Sequence, residues 1–395
     1  MRNERAAELV KKHTKAMLEY RRHMHAHPEL SHEEKETAAY IAAKLREMGL
    51  EPKEGIGGYG LTAVIEGTGE GKCVGLRADF DALPIQEETG LPFASENPGV
   101  MHACGHDTHA AMLLGEALVL NEMRDAFRGR VKLVFQPAEE DAADCGARKM
   151  IADGVLEGPH VDGMFGQHIA PDLPTGKVAV RNGAMSAASD RFFITIRGKN
   201  SHGSRPEDGI DAIVIAAQVV TALQSIVARN VGPLDSTVVT IGTIRGGQRY
   251  NVIADEVCME GTCRNLNPVV RDTMEQRIGA IVRGVAESMG GSGELKYLRC
   301  YSPTINAPEM FRFVKDAVVD VLGPEGLVIP ESSSLGGEDF SYFCEKVPSA
   351  YYMLGSTEPG KPYVPVHNGH MIPDEAALSM GMEVMVNAAL AFLKA

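Results

Sequence analysis

Apolar positions recur with a helical period over residues 4–26, where Ala7, Val10, Met17 and Leu18 form one stripe among charged neighbours. Pro28 breaks that helix. Ser31 followed by Glu34 reads as a capping box for a second helix, which runs to about Met48 and stops at Gly49. Two short apolar runs, 61–66 and 73–77, flank the turn T-G-E-G-K and read as strands. Residues 110–120 form an apolar helix-like run. Residues 130–137, R-V-K-L-V-F-Q-P with the preceding glycine boundary, read as a buried strand. A further strand over 161–165 would leave His168 just past its end.

The pattern changes after about residue 184. Strand signals cover 191–197, 236–244, 254–263 and 294–300, with helices over 211–228 and 268–289. The order β-α-β-β-α-β is that of a ferredoxin-like α+β domain. A helix over 309–321, a strand over 350–354 and a C-terminal helix from Asp374 then resume the first pattern. The expected organisation is an α/β domain in two parts, 1–185 and 302–395, interrupted by an inserted domain over 186–301.

Charge and cysteine usage narrow the function classes. A formal net charge of -14 does not suit nucleic acid or an anionic membrane. Seven cysteines, none in a CxxC pair, do not form a disulfide framework, so a reducing cytoplasm is expected. The N-terminus is charged throughout and lacks the apolar core of a signal peptide. No unbroken run approaches the apolar length of a membrane span, so none is expected.

The chemistry concentrates at predicted strand ends. Residues 101–109 read M-H-A-C-G-H-D-T-H, where cysteine and histidine are metal-ligand types and Asp107 can orient an imidazole. R-A-D-F-D ends an earlier strand, and Asp79 there is either a positioning carboxylate or a solvated turn residue. Glu139 and Glu140 follow a buried strand at once. Carboxylates are costly to place there unless a cation holds them, although a helix N-terminus would also suit them. His168 lies at a later strand end, His367 and His370 fall in V-P-V-H-N-G-H before the C-terminal helix, and Glu338 and Asp339 sit in a Gly-rich loop. His23, His25, His27 and His32 read as a charged helix end and turn. Cys104, His106, Glu140, His168 and His367 would together serve two divalent ions sharing a bridging ligand. Such a pair can clamp a carbonyl oxygen and lower the pKa of a shared water. Glu139 could take that proton and pass it to a leaving amine.

These motifs resemble the M20 metallopeptidase family, in its amidohydrolase branch of N-acyl-amino-acid and hippurate hydrolases. R-R-H-M-H-A-H-P-E-L-S, L-R-A-D-F-D-A-L-P-I, M-H-A-C-G-H-D-T-H, F-Q-P-A-E-E, N-S-H-G-S-R-P-E-D-G-I-D-A, G-G-E-D-F-S-Y-F and V-H-N occur in the family's order along nearly the whole chain. The resemblance implies a zinc-peptidase-like catalytic domain with an inserted dimerisation or lid domain, and a homodimer. It implies Cys104 as the bridging ligand, His106, Glu140, His168 and His367 as the others, and Glu139 as general base. Arg77 stands where the wider family has a metal-binding histidine, which leaves Asp79 a supporting role. His202 is implied as an oxyanion donor reaching the partner's site. Asn251 is implied as a substrate contact, and Arg264 is a candidate for the substrate carboxylate.

The expected activity is hydrolysis of N-acyl amino acids with two ions per subunit, of zinc, manganese, cobalt or nickel. A dipeptidase or N-acetyl-diaminopimelate-type deacylase is the alternative within the class, and a non-catalytic metal- or ligand-binding protein the alternative outside it. Departures from the branch pattern are D-A-A-D-C-G after Glu140, G-Q-H-I-A-P-D at His168, Ala254, and N-G-H-M-I-P-D-E after Asn368's neighbour His367. They bear on the acyl group and remove no ligand.

Overall fold

The computed structural model describes residues 2–395, which divide into two compact units. The main unit comprises residues up to 185 together with 304–332 and 339–395; the second comprises 186–303 and 333–338.

The main unit is built on a mixed eight-stranded sheet in the order β1-β2-β4-β3-β5-β14-β6-β13. Its strands are β1 (Lys53–Ile56), β2 (Gly60–Glu66), β3 (Cys73–Asp79), β4 (Arg130–Gln136), β5 (Gly163–Pro174), β6 (Val178–Ala179), β13 (Leu327–Val328) and β14 (Ser349–Thr357). A separate short pair joins β7 (Gly183–Ser186) to β12 (Thr304–Asn306). The two strands read at 61–66 and 73–77 are not neighbours, because β4 lies between them, antiparallel to β2 and parallel to β3.

Alternation along β4 explains the layers. Val131, Leu133 and Phe135 face one apolar cluster, and Val134 faces another on the opposite side. The first cluster is roofed by α1 (Glu4–Ala26), α2 (Lys35–Glu47), α3 (His106–Glu122), α7 (Pro308–Leu322) and α9 (Ala376–Lys394). The second is covered by α4 (Gly146–Ala152) and α8 (Ser341–Cys344). α3 and α9 are buried almost all round, as central helices must be when no face meets water.

The second unit is a four-stranded antiparallel sheet in the order β11-β8-β10-β9, from β8 (Ala188–Arg197), β9 (Thr237–Gly246), β10 (Glu256–Asn265) and β11 (Ser292–Tyr301). α5 (Ala212–Asn230) and α6 (Pro268–Ser288) pack on one face over Phe192, Ile194, Val257 and Met259. Chain order and strand order are those of the ferredoxin-like fold.

Three readings of the sequence change. β5 continues to Pro174, so His168 lies inside a strand; parallel pairing with β14 sustains it past the predicted end. By length and composition α5 and α9 could each cross a membrane, which a search for unbroken apolar runs overlooks. α9 is instead the core helix of its unit, and α5 lays one face on a sheet.

The third change concerns α2, which is not capped by Ser31 and Glu34. Its amide groups at Glu36 and Thr37 donate to the Glu29 carboxylate at 3.1 and 2.7 Å, and Thr37 Oγ1 donates at 2.8 Å. Replacing Glu29 by Ala should therefore cost about 1–2 kcal/mol of stability, the usual worth of a cap. Urea denaturation would check it; an unchanged midpoint would show the cap to be idle.

Candidate metal centre

The carboxyl ends of β3 and β4, the start of α3 and the middle of β5 converge, together with the loop before α9. Gly105 permits the approach of the α3 loop to β5. Its φ of +87° favours glycine, and a Cβ there would stand 2.3 Å from Ile169 Cδ1. Ala138 turns the chain out of β4 at φ +51°, a conformation costing a non-glycine residue about 1–3 kcal/mol. The turn sends Glu139 and Glu140 toward the α3 loop. No helix starts there; α4 begins only at Gly146. His367 is also left-handed, at φ +61°, and its N–H donates to Ala103 O at 2.8 Å, which ties the late loop to Cys104.

Of the groups of ligand atoms that result, two contain Cys104. Cys104, His106 and His168 present atoms within 4.8 Å of one another, and so do Cys104, Glu140 and His367. The shared member is Cys104. Each group mixes thiolate and imidazole donors, the second adding a carboxylate, and this is a donor set for borderline divalent ions. Unspent valence points inward. His106 Nε2 is buried without a hydrogen-bond partner, and Glu140 Oε1 lies 3.2 Å from His367 Nε2 without accepting a well-directed hydrogen bond. The residues therefore fit a metal pair.

The surroundings orient these donors. His168 Nδ1 donates to Ile169 O at 2.6 Å, leaving Nε2 3.4 Å from Cys104 Sγ. His106 Nδ1 donates to Asp81 Oδ1 at 3.0 Å, and Asp81 Oδ2 accepts from Glu140 N at 3.0 Å. One buried carboxylate thus fixes an imidazole on α3 and the backbone of the β4 loop. Burial alone would raise the Cys104 thiol; the His168 and His106 imidazoles more than offset it and bring it to about 7. Burial opposes charge on His168 too, but the Cys104 sulfur lifts it to about 9.

Beneath the donors lies a paired set of buried charges. Arg77 donates to Asp79 Oδ2 and Asp339 Oδ1, both at 2.6 Å, and to Gln136 Oε1 at 2.9 Å. Burial would push the Asp79 carboxyl up, yet Arg77, His106 and His109 hold it well below the usual range. His109 Nδ1 donates to Asp79 Oδ1 at 2.6 Å, and its Nε2 accepts from Ile169 N at 3.0 Å. Glu139 is 6% exposed, and its Oε1 accepts from Asp339 N at 3.4 Å.

Asp81 and His109 carry much of this arrangement and are not singled out by the sequence, and Arg77, read there only as standing at a ligand position of the wider family, is the cation that pairs the buried carboxylates. The R-A-D-F-D alternation held the signal for Asp81, since it shares a direction with Asp79. His25 was also misread. It is fully buried, donating to Asp107 at 2.9 Å and Glu87 at 3.3 Å. Burial would lower its pKa, but the two carboxylates raise it to about 9, so it is an imidazolium at neutral pH.

His202, Asn251 and Arg264 belong to the second unit. His202 Nδ1 accepts from Ser204 N at 3.1 Å, which places the ring proton on Nε2. Its backbone bridges Val252, and Gly203 N donates to Asn251 O at 2.8 Å, so His202 and Asn251 are neighbours. Arg264 lies half-buried on β10 opposite Ser189 and Val238.

A thiolate-and-imidazole centre with adjoining carboxylates defines a site for divalent metal. Peptidase family M20/M25/M40 matches residues 75–391, and the chain belongs to that family. An N-acetyl-L-cysteine deacetylase of Bacillus subtilis is 42% identical over 342 residues, covering 87% of this chain and 80% of that protein. An N-acyl-L-amino acid amidohydrolase of Geobacillus stearothermophilus is 43% identical over 309 residues, 78% of this chain and 83% of that one. A solved Bacillus subtilis structure, described as a dinuclear metal-binding peptidase of the M20 family, is similar with a TM-score of 0.85 at 36% identity. It covers 97% of this chain and 99% of that one.

If Asp81 orients His106 and Glu140, Asp81→Asn should weaken metal binding about 10- to 100-fold. Competition against a chromogenic chelator measures it, and unchanged affinity would remove Asp81 from the centre.

Proposed function

We propose that the chain hydrolyses the amide bond of N-acyl amino acids, releasing a carboxylate and a free amino acid. The observation that carries this reading is the pair of ligand groups meeting at Cys104, with Glu139 buried beside them. Cys104, His106 and His168 would hold one ion, and Cys104, Glu140 and His367 the other. When bound, two divalent ions supply Lewis-acid polarisation of the scissile carbonyl and a more acidic water. Cys and His together favour zinc, while manganese, cobalt and nickel also suit mixed imidazole and carboxylate donors.

Glu139 is assigned as the general base. It takes the proton of the attacking water at a carboxylate oxygen and delivers it to the leaving amine nitrogen. Its hydrogen bond from the Asp339 amide restricts its direction, which a base needs. His202 is assigned to the developing oxyanion; its Nε2–H tautomer makes it a donor there. Asn251, next to it, is assigned to substrate binding. Arg264 is assigned to the substrate carboxylate, for which a guanidinium fork is suited.

The inserted unit is proposed to carry a homodimer. Its β9 is a sheet edge, and Ile244 on it and Ile213 and Val214 on α5 are exposed. An unpaired edge beside apolar side chains favours burial against a like surface. Seven cysteines, none of them in a disulfide, suit a reducing cytoplasm as the place of work.

The test is release of free amine from acetyl, benzoyl, long-chain and succinyl amino acids, before and after chelation and metal add-back. Chelator-sensitive release is expected on at least one. Glu139→Gln should bind metal normally and lose about 100-fold or more in kcat; unchanged turnover would reject the base. His202→Ala should cut turnover with metal content intact, and loss of metal instead would mark it as a ligand. Mixed His202→Ala and Glu139→Gln dimers should recover activity if His202 acts across the dimer.

A further inference from the structure

We propose that Glu34 is a positioning residue for the reaction: its buried carboxylate grips the Ala138 amide and so fixes the direction in which Glu139 leaves β4. The inference rests on the assignment of Glu139 as general base.

Glu34 is the residue before α2, where a carboxylate would ordinarily cap the helix. It makes no such bond. Glu29 supplies the cap from five residues upstream, which frees Glu34 to turn inward. Its side chain is fully buried, and Oε1 accepts from Ala138 N at 2.8 Å. Oε2 makes no well-directed hydrogen bond, although the His32 and Glu34 amides also face the carboxyl. A desolvated carboxyl is expensive to retain for packing alone. Burial, with Asp81 nearby, pushes it up to about 7.

The bond it makes falls at the one left-handed non-glycine residue of the β4 loop. Ala138 is held from both sides: its amide by Glu34, its carbonyl by Gly146 N at 3.0 Å. The turn is crowded as well, since a Cβ on Gly146 would stand 1.8 Å from Pro137 O, in the peptide that enters Ala138. A residue in a strained conformation keeps it only while its surroundings over-determine it. Glu139 is the next residue, so any relaxation of Ala138 swings its carboxylate.

The same turn reaches the end of β3. Ser31 Oγ donates to Asp81 Oδ2 at 2.7 Å, and Ala82 N donates to Glu29 O at 2.8 Å. The segment Glu29 to Glu34 therefore braces both loops that carry the centre's carboxylates. Glu34 is the brace on the base.

The experiment compares Glu34→Gln with Glu34→Met, on the full chain loaded with metal. Both fill the space; only Gln keeps an acceptor for the Ala138 amide. Expected for Glu34→Met is a loss of about 10- to 100-fold in kcat per metal-loaded subunit, with KM and metal content near wild type. Glu34→Gln should stay within about threefold of wild type. Equal losses in both variants, or wild-type turnover in Glu34→Met, would overturn the proposal.

Hydrogen exchange gives a readout independent of turnover. In the unmutated protein the Ala138 amide should be protected, and in Glu34→Met it should exchange at least about tenfold faster while α2 does not. Rapid exchange in the unmutated protein would also overturn the proposal, and needs no variant to fold. Glu139→Gln separates the two ideas. If it is inactive while Glu34→Met is fully active, only the brace fails. If Glu139→Gln keeps wild-type turnover, the base and its brace fail together.

Discussion

The main unit depends on one buried cation. Arg77 stands in the middle of the sheet with no exposed surface, and a guanidinium there must be neutralised or the strand could not be buried. It is neutralised by Asp79 on its own strand and Asp339 from a distant loop, with Gln136 on the neighbouring strand completing the fork. Consequences run outward from it. Asp79, held ionised, fixes His109; His109, fixed on one nitrogen, accepts the Ile169 amide with the other. That amide follows His168. Donor placement at the centre is thus inherited from a charge balance several residues away. A change of Arg77 would reach the ligands without touching them.

Most elements were legible because periodicity is local. The ferredoxin-like unit was readable from its strand and helix order, and the candidate ligands from residue type beside strand ends. What escaped was decided by partners far along the chain. Ser31 and Glu34 have the spacing of a capping box, but Glu29 competes for the same amides and wins, because β3 and β4 offer Ser31 and Glu34 buried partners. His25 sits in a run of surface-like histidines, and only the return of Asp107 and Glu87 to α1 makes it an interior cation. His168 looked terminal since its strand is prolonged by β14, whose sequence lies beyond the whole insert.

The second unit follows the same rule of compensated burial. Asp190 on β8 is fully buried, receiving two bonds from Arg271 on α6 and one from Tyr297 on β11. This ties the helix layer to the sheet at a point where apolar packing alone would allow sliding. Cys263 and Cys300 border the network as reduced, buried thiols. The charged knot lies within the unit, whereas Ile213, Val214 and Ile244 are exposed, so rigidity and adhesion are served by different residues.

The pairing of β5 with β14 has a consequence for synthesis. The two strands are adjacent in the sheet, in register from Met164 with Ser349, but the inserted unit is translated between them. At about 5–20 residues per second, β5 waits with one edge bare for roughly ten to thirty-five seconds. Throughout that interval the nascent chain carries an open, largely apolar strand edge, and the last strand of the inserted unit, β11, is complete at Tyr301, before β14 begins. The insert therefore has its full set of sheet strands before the main sheet does: the half that begins the chain is the one completed last.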